Sequence, residues 1–246
     1  MGNKHAEERT PPKEKTPTFL LELPLVAEAG QAARLGAHLE VGRQFYNAML
    51  SAGQRRLRRM RADPAWQAAR AIPHAHKQER KAAFSALRKR YGFSEYAFHE
   101  LARKLRVSWL AEHLDAVLAQ TLATRAYRAL NRVCLGKARR VRFKSKSRGL
   151  DSIENKRNDT GMRFVLAPGA IGRPQGYLLW HDDQLRALID WDDPVAAHGL
   201  AHEIKYARLV RRHASSPRAQ GADRGGSATL CNWCSRACPI TNRSTP

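Results

Sequence analysis

From about Glu28 to Leu135 the apolar positions recur at three- and four-residue spacing, the period of a helix with one buried stripe. Leu35, Leu39, Gly42, Tyr46, Met49, Gly53, Leu57 and Met60 form such a stripe on one long helix, which Asp63-Pro64 ends. Residues 74–91 carry Ala83, Phe84 and Leu87 among many charges, and Gly92 closes that helix. Ser94 is a good N-cap for Glu95 to Leu105, with Glu95 and Glu100 toward its start and Lys104 and Arg106 toward its end. A last helix runs from about Asp115 to Cys134, with Leu118, Leu122, Ala126 and Leu130 on its stripe and Gly136 as its stop. Cys134 falls on the apolar face and reads as core. These segments predict a bundle of four helices.

On either side of the bundle the period shortens. Thr18 to Val26 predicts a strand that Pro24 places at a sheet edge. Arg140 to Lys144 alternates basic and apolar residues, as a half-exposed strand does. Met162 to Leu166, Tyr177 to Trp180 and Ile204 to Val210 are further strand candidates, and Leu185 to Trp191 reads as a short helix or an irregular connection. Residues 1–16 have almost nothing to bury and read as a disordered leader. From Ala214 to Pro246, Ser, Pro, Gly, Arg and Asn dominate without periodicity, which predicts a low-complexity tail.

Charge narrows the class of partner. Lys and Arg number 44 against 22 Asp and Glu, a formal net charge of +22 on 246 residues. Such an excess selects polyanions, either nucleic acid or an anionic membrane surface. The longest apolar run, Leu20 to Val26, is broken by Glu22 and Pro24 and falls far short of the ~20 residues that span a bilayer. Met1 to Lys15 lacks the apolar stretch of a signal peptide. The expected location is the cytoplasm, with association to the nucleoid in keeping with the charge, and no membrane is expected as partner. A 43% hydrophobic content is enough for a true core.

The densest chemistry lies in Lys137 to Arg148 (KARRVRFKSKSR), seven basic residues in twelve with no acid. As a strand, 140–144 would put Arg140, Arg142 and Lys144 on one face at a repeat of about 6.6–6.8 Å, with Val141 and Phe143 packed inward. Cations so spaced can follow a phosphate backbone. The candidate binding residues here are Lys137, Arg139, Arg140, Arg142, Lys144, Lys146 and Arg148. A charged, solvated edge strand is the plainer reading of the same run. Five arginines fall within the seven residues 55–61, too many for one face of a helix, and Arg55, Arg56 and Arg59 join the candidates. A looser group comprises Lys77, Arg80, Lys81, Arg88, Lys89 and Arg90. The polar loop Asp151 to Gly161 adds Lys156 and Arg157, with Asn155, Asn158 and Thr160 as possible readers of bases or sugars.

Other chemistry is sparse. Cys231, Cys234 and Cys238 are spaced as half of a zinc site, and structural zinc takes four ligands. Without the second half no cofactor is expected. No motif for catalysis by serine, by a phosphate-binding loop or by a zinc helix is present. Asp182-Asp183 and Asp190, Asp192 and Asp193 are the carboxylates available for Mg²⁺, although such pairs usually form turns.

Four stretches together resemble the N-terminal half of the transposon-encoded TnpB (OrfB) proteins, RNA-guided DNA nucleases related to type V CRISPR effectors. Arg43 to Leu50 (RQFYNAML) is similar to the family's early helix with its Tyr-Asn pair. Ser94 to Leu114 resembles its helical recognition region. Val141 to Lys146 (VRFKSK), followed by Asp151-Ser152-Ile153, resembles its Arg-Phe-Lys strand, and Ile204 to Arg212 the strand before its nuclease domain. The likeness covers residues 18–212, in the family's order.

The resemblance implies an α+β protein in which a small wedge domain, an oligonucleotide-binding (OB-like) β-barrel, is interrupted by a four-helix recognition insertion, with disordered termini. The wedge would be residues 17–27 and 136–213, the recognition lobe 28–135 and the tail, possibly frameshifted, 214–246. It also implies RNA and DNA as partners. Members of the family continue into a RuvC-like nuclease domain, and here only 34 residues follow Arg212. The expectation is therefore a truncated, transposase-related chain of a mobile element that binds nucleic acid without a catalytic centre. The rival expectation is an active transposase or nuclease, completed by a partner chain or by the carboxylates of Asp182 to Asp193.

Overall fold

The stripe on the first helix is buried along its whole length. In the structure, a computed structural model describing residues 18–106, 109–169, 172–212 and the backbone of 232–237, helix α1 spans Ala29–Ala62. Leu35, Leu39, Tyr46, Met49, Leu57 and Met60 are all buried, and so are Gly42 and Gly53 between them. At Gly53 the spacing is tightest, since a Cβ there would lie 2.3 Å from Leu130 Cδ1 and 2.6 Å from Phe98 Cζ.

Asp63-Pro64 does more than stop α1. The Asp63 carboxylate accepts the Ala65 N–H at 2.9 Å, and Pro64 stands in the first turn of a further helix, α2 (Pro64–Ala71). Then follow α3 (Lys77–Arg90), α4 (Glu95–Leu105) and α6 (Ala116–Cys134), close to the predicted bounds, with the short α5 (Leu110–His113) before α6. The insertion thus has six helices, not four. Ser94 caps α4 by accepting the Ala97 N–H, and Asp115 caps α6 by accepting that of Leu118.

The strands are β1 (Leu21–Val26), β2 (Ser152–Glu154), β3 (Arg163–Ala167), β4 (Gln175–Trp180), β5 (Asp183–Ala187), β6 (Ala207–Arg212) and β7 (Asn232–Ala237). All neighbours are antiparallel, in the order β2-β6-β7-β1-β5-β4-β3. The fold class is α+β. The sheet is open, with β2 and β3 at its edges, and no closed barrel forms among the described residues.

Several strand expectations are corrected. β1 is interior, between β5 and β7, although it contains Pro24. The Pro24 carbonyl accepts the Leu188 N–H at 2.8 Å, so its missing donor faces the same side, just where the short β1–β5 ladder ends. Residues 183–187 form β5, with Asp183 as well as Leu185 and Ala187 pointing inward, so of the segment 185–191 only 188–191 is an irregular connection. Part of the polar loop, 152–154, is the edge strand β2, paired with β6. Within the tail, 232–237 pairs with both β1 and β6; the rest of 214–246 and the leader lie outside the described residues. A short helix, α7 (Pro194–Leu200), follows Asp193, whose carboxylate accepts the Val195 N–H.

One hydrophobic cluster runs through helices and sheet, from Leu21, Leu23 and Leu25 through Leu39, Leu122 and Leu150 to Leu178 and Leu209. The wedge and recognition segments expected from sequence share this core. Gly42 of α1 lies where a Cβ would meet Leu150 at 3.1 Å and Leu122 at 3.6 Å, so α1, α6 and the chain entering β2 meet closely. Cys134 is half-buried against the core, near the Arg88 guanidinium. No described helix is long and apolar enough to cross a membrane.

Candidate nucleic-acid interface

The basic run begins where α6 is capped. Gly136 takes φ +72°, its N–H donates to Val133 O, and the Lys137 N–H donates to Arg132 O, the two bonds of a Schellman cap. The chain then doubles back along α1. Arg61 donates to Val133 O at 2.7 Å. Arg139, Arg140 and Val141 share a groove of about 280 Å³ with Gln54, Leu57 and Arg58 of α1. At its far end the Lys144 N–H donates to Asn47 Oδ1 at 2.9 Å, and its carbonyl accepts from Asn47 Nδ2 and Arg43 Nη1, both at 2.8 Å.

Residues 140–144 form no strand and belong to no ladder, and α1 rather than a strand lies beside them. The expected row of three cations on one strand face is therefore absent. Val141 is half-buried, Phe143 is 48% exposed rather than packed inward, and Lys144 turns back to Asp151, with Nζ 3.8 Å from Oδ2. Lys137, Arg139, Arg140, Arg142, Lys146 and Arg148 are exposed. The run is a charged strap, tied to α1 through its backbone, that leaves most of its cations facing solvent.

The arginines of α1 divide by direction. Arg56 points inward: it donates to Gly92 O at 2.8 Å and lies over the Phe98 ring at 5.5 Å, and burial pushes its pKa down. It ties α1 to the α3–α4 turn and lines neither the groove nor the hollow beyond it. Arg55 and Arg59 are exposed and do not line the groove, and Arg55 donates to Ser51. The strap's neighbours are Arg58 and Arg61, which are not among the candidate residues expected from sequence. Their signal was available, since Asn47, Gln54, Arg58 and Arg61 follow one another at seven, four and three residues along one flank of the helix.

Beyond Arg61 the groove opens into a bowl of about 920 Å³ between α2, α3 and the end of α6. Arg61, Arg70, Arg80, Lys81 and Arg88 stand around it, and Trp66, Phe84 and Leu135 supply its apolar surface. None of the residues lining groove or bowl is acidic. Of the third basic group, Arg80, Lys81 and Arg88 reach the bowl, while Arg90 pairs with Asp63 at 3.0 Å.

The other candidates are placed elsewhere. Lys156 is exposed beside Gln120 of α6, and Arg157 pairs with Asp159. Asn155 is buried and donates to the carbonyls of Thr160 and Met162, and Asn158 exchanges two bonds of 2.7 Å with the Phe164 backbone. Both asparagines hold the β2–β3 connection and have no free edge for a base. Asp183 is buried in an ion pair with Arg34, Asp190 accepts the Asp192 N–H, Asp192 pairs with Arg173, and Asp193 caps α7. No cluster of three or more His, Cys, Asp or Glu suited to a metal forms among the described residues. Cys231 and Cys238 lie outside the described residues, and Cys234 is placed in β7 by its backbone alone.

Arg43 is held for its task by Glu40, whose Oε1 lies 2.6 Å from Nη2. Hydrogen bonds from Arg43 and Gln44 keep the Glu40 carboxyl well below the usual carboxylate range. The ion pair orients Arg43 toward the strap without adding net charge. What the arrangement offers is an acid-free cationic lining in groove and bowl, with exposed guanidinium groups beside an apolar hollow, and a strap whose Lys144 is ion-paired with Asp151. Guanidinium groups so exposed can meet anionic oxygens such as those of phosphates. No protein-family model matches the chain, and no curated protein matches its sequence.

Proposed function

We propose that the protein binds nucleic acid, RNA or DNA, through the strap, the groove and the bowl, and that it brings no catalytic centre of its own to the complex. The observation that carries this reading is the acid-free lining shared by groove and bowl, joined at Arg61. In a chain of net charge +22, ordinary solubility would spread acids among the bases, as on the rest of this surface. The strap adds the exposed Lys137, Arg142, Lys146 and Arg148 along the same flank. Binding is mostly to phosphates, with little reading of sequence.

The reading agrees with the resemblance to the wedge and recognition regions of TnpB-type transposon proteins. On that view the sheet is the wedge, related to an OB-like barrel, and α1–α6 are the recognition insertion. The Tyr46-Asn47 pair and the Arg-Phe-Lys run touch through Asn47 and Lys144, so two of the four matching stretches meet in space. The test is purification at low salt, followed by nuclease digestion and a high-salt wash. Nucleic acid that co-purifies and is released by salt supports the proposal; protein free of nucleic acid, and unable to bind added RNA or DNA, overturns it.

A further inference from the structure

The bowl differs in kind from the strap. A strap of exposed cations can lie along any phosphate backbone, duplex or single strand. The bowl is concave, walled by α2, α3 and the capped end of α6, with Trp66 and Phe84 packed edge to face at 5.0 Å and Leu135 54% exposed at its rim. A duplex is convex: its bases are stacked inside and its phosphates ride on the outside, so it can touch the rim but cannot put apolar surface into the hollow. An unpaired nucleotide can do both at once.

Resting on the reading that the chain binds nucleic acid, we infer that the bowl holds an unpaired nucleotide of a single strand or loop, and so makes the protein prefer single-stranded to duplex nucleic acid. The base enters between Phe84 and Leu135, and the phosphates on either side meet Arg70 and Lys81, both exposed at the rim. About 920 Å³ leaves room for a base with its sugar. Two other rim arginines are already held in place. Arg80 donates to the carbonyls of Arg70 and Ile72 and lies over Phe84 at 5.5 Å. Arg88 donates to Asn131 Oδ1 at 3.1 Å and lies 5.9 Å from the Phe93 ring centre. A guanidinium fixed in this way keeps its charge at the rim without having to be ordered when a ligand arrives. Stacking on apolar and aromatic surface is tolerant of base identity, so the preference is for strand state rather than sequence.

The experiment compares binding of a uridine-rich single strand and a fully paired duplex of equal length, at one ionic strength, to three full-length proteins. These are the wild type, Arg70→Ala/Lys81→Ala at the rim, and Arg55→Ala/Arg59→Ala on α1 outside groove and bowl. The two variants lose the same charge and alter only exposed side chains. The expected result is a wild-type preference for the single strand of about tenfold or more, since stacking a base contributes at that level. That preference should collapse in the rim variant and persist in the α1 variant. Equal affinity of the wild type for both ligands, or equal losses in the two variants, overturns the inference while leaving nucleic-acid binding intact. Failure to bind either ligand overturns the functional reading itself.

Discussion

Asn47 and Lys144, ninety-seven residues apart, exchange a reciprocal pair of hydrogen bonds, amide to carbonyl and N–H to amide oxygen, at 2.8 and 2.9 Å. An asparagine side chain here does what a neighbouring strand would do, satisfying both backbone groups of one strap residue. Replacing it leaves those groups for water, or for Arg43 alone on the carbonyl. Asn47→Ala should cost about 1–2 kcal/mol of stability. The sharper effect should be local: limited trypsin digestion is expected to cut faster between residues 139 and 144. Unchanged cleavage there would mean that the strap is held by other contacts.

Arg56 and Arg58, two residues apart on α1, should behave as different kinds of residue. Arg56→Ala removes the donor to Gly92 O, a packing contact on Phe98 and the tie to α4. It should lower the unfolding free energy by about 2–3 kcal/mol, as for a hydrogen-bonded charged group. Arg58→Ala should leave the unfolding midpoint nearly unchanged and weaken oligonucleotide binding. Denaturant melts set beside binding curves check both, and a reversal of the pattern would show the inward and outward assignments to be wrong.

Gly53→Ala tests the closest approach in the helical core. Within a helix this change ordinarily stabilises by about 1 kcal/mol. At Gly53 the new methyl would collide with Leu130 and Phe98, so a net loss of about 1–3 kcal/mol is expected from overpacking. A thermal melt of the variant decides the sign.

Stability should also depend on pH through His38, which is buried against Trp180 and faces His113, His181, Asp183 and Arg34. Burial first, and then the two neighbouring histidines, lower its pKa from 6.5 to about 4. The unfolded chain therefore takes up a proton below about pH 6.5 that the folded protein refuses until about pH 4. The contribution is fully present above pH 6.5 and is lost as the pH falls through this window, on the order of 3 kcal/mol. His38→Gln should flatten that part of the stability profile relative to wild type, and parallel profiles would remove His38 as the cause.

How far the sequence could be read depended on whether the partner of each segment lay on the same element. The stripe of α1, from Leu35 to Met60, needed only helical spacing, and every member is buried. The caps at Ser94 and Asp115 were equally local. The strap misled because basic and apolar residues alternate in Arg140 to Lys144, while its neighbour is the flank of a helix a hundred residues earlier. β5 was hidden because Asp183 sits on its inward face, legible only once Arg34 is known to meet it. Arg70 and Arg80 belong to different helices, and only the packing of α2 on α3 brings them to one bowl. Basic composition pointed to a polyanion from the start, but it could not divide Arg56, which holds the fold, from Arg58, which faces the groove.

The claim at the centre is that exposed cations of the strap, groove and bowl neutralise phosphates. The most direct measurement is the affinity for an oligonucleotide across a series of salt concentrations, for wild type and for Arg139→Ala/Arg140→Ala/Arg142→Ala. If about six phosphates of a duplex are neutralised, log K falls with log salt at a slope near −5. The triple variant should be shallower by about 2–3, since each lost phosphate contact removes about 0.9 from the slope. A flat response in the wild type, or an unchanged slope in the variant, would contradict the assignment of this surface to nucleic acid.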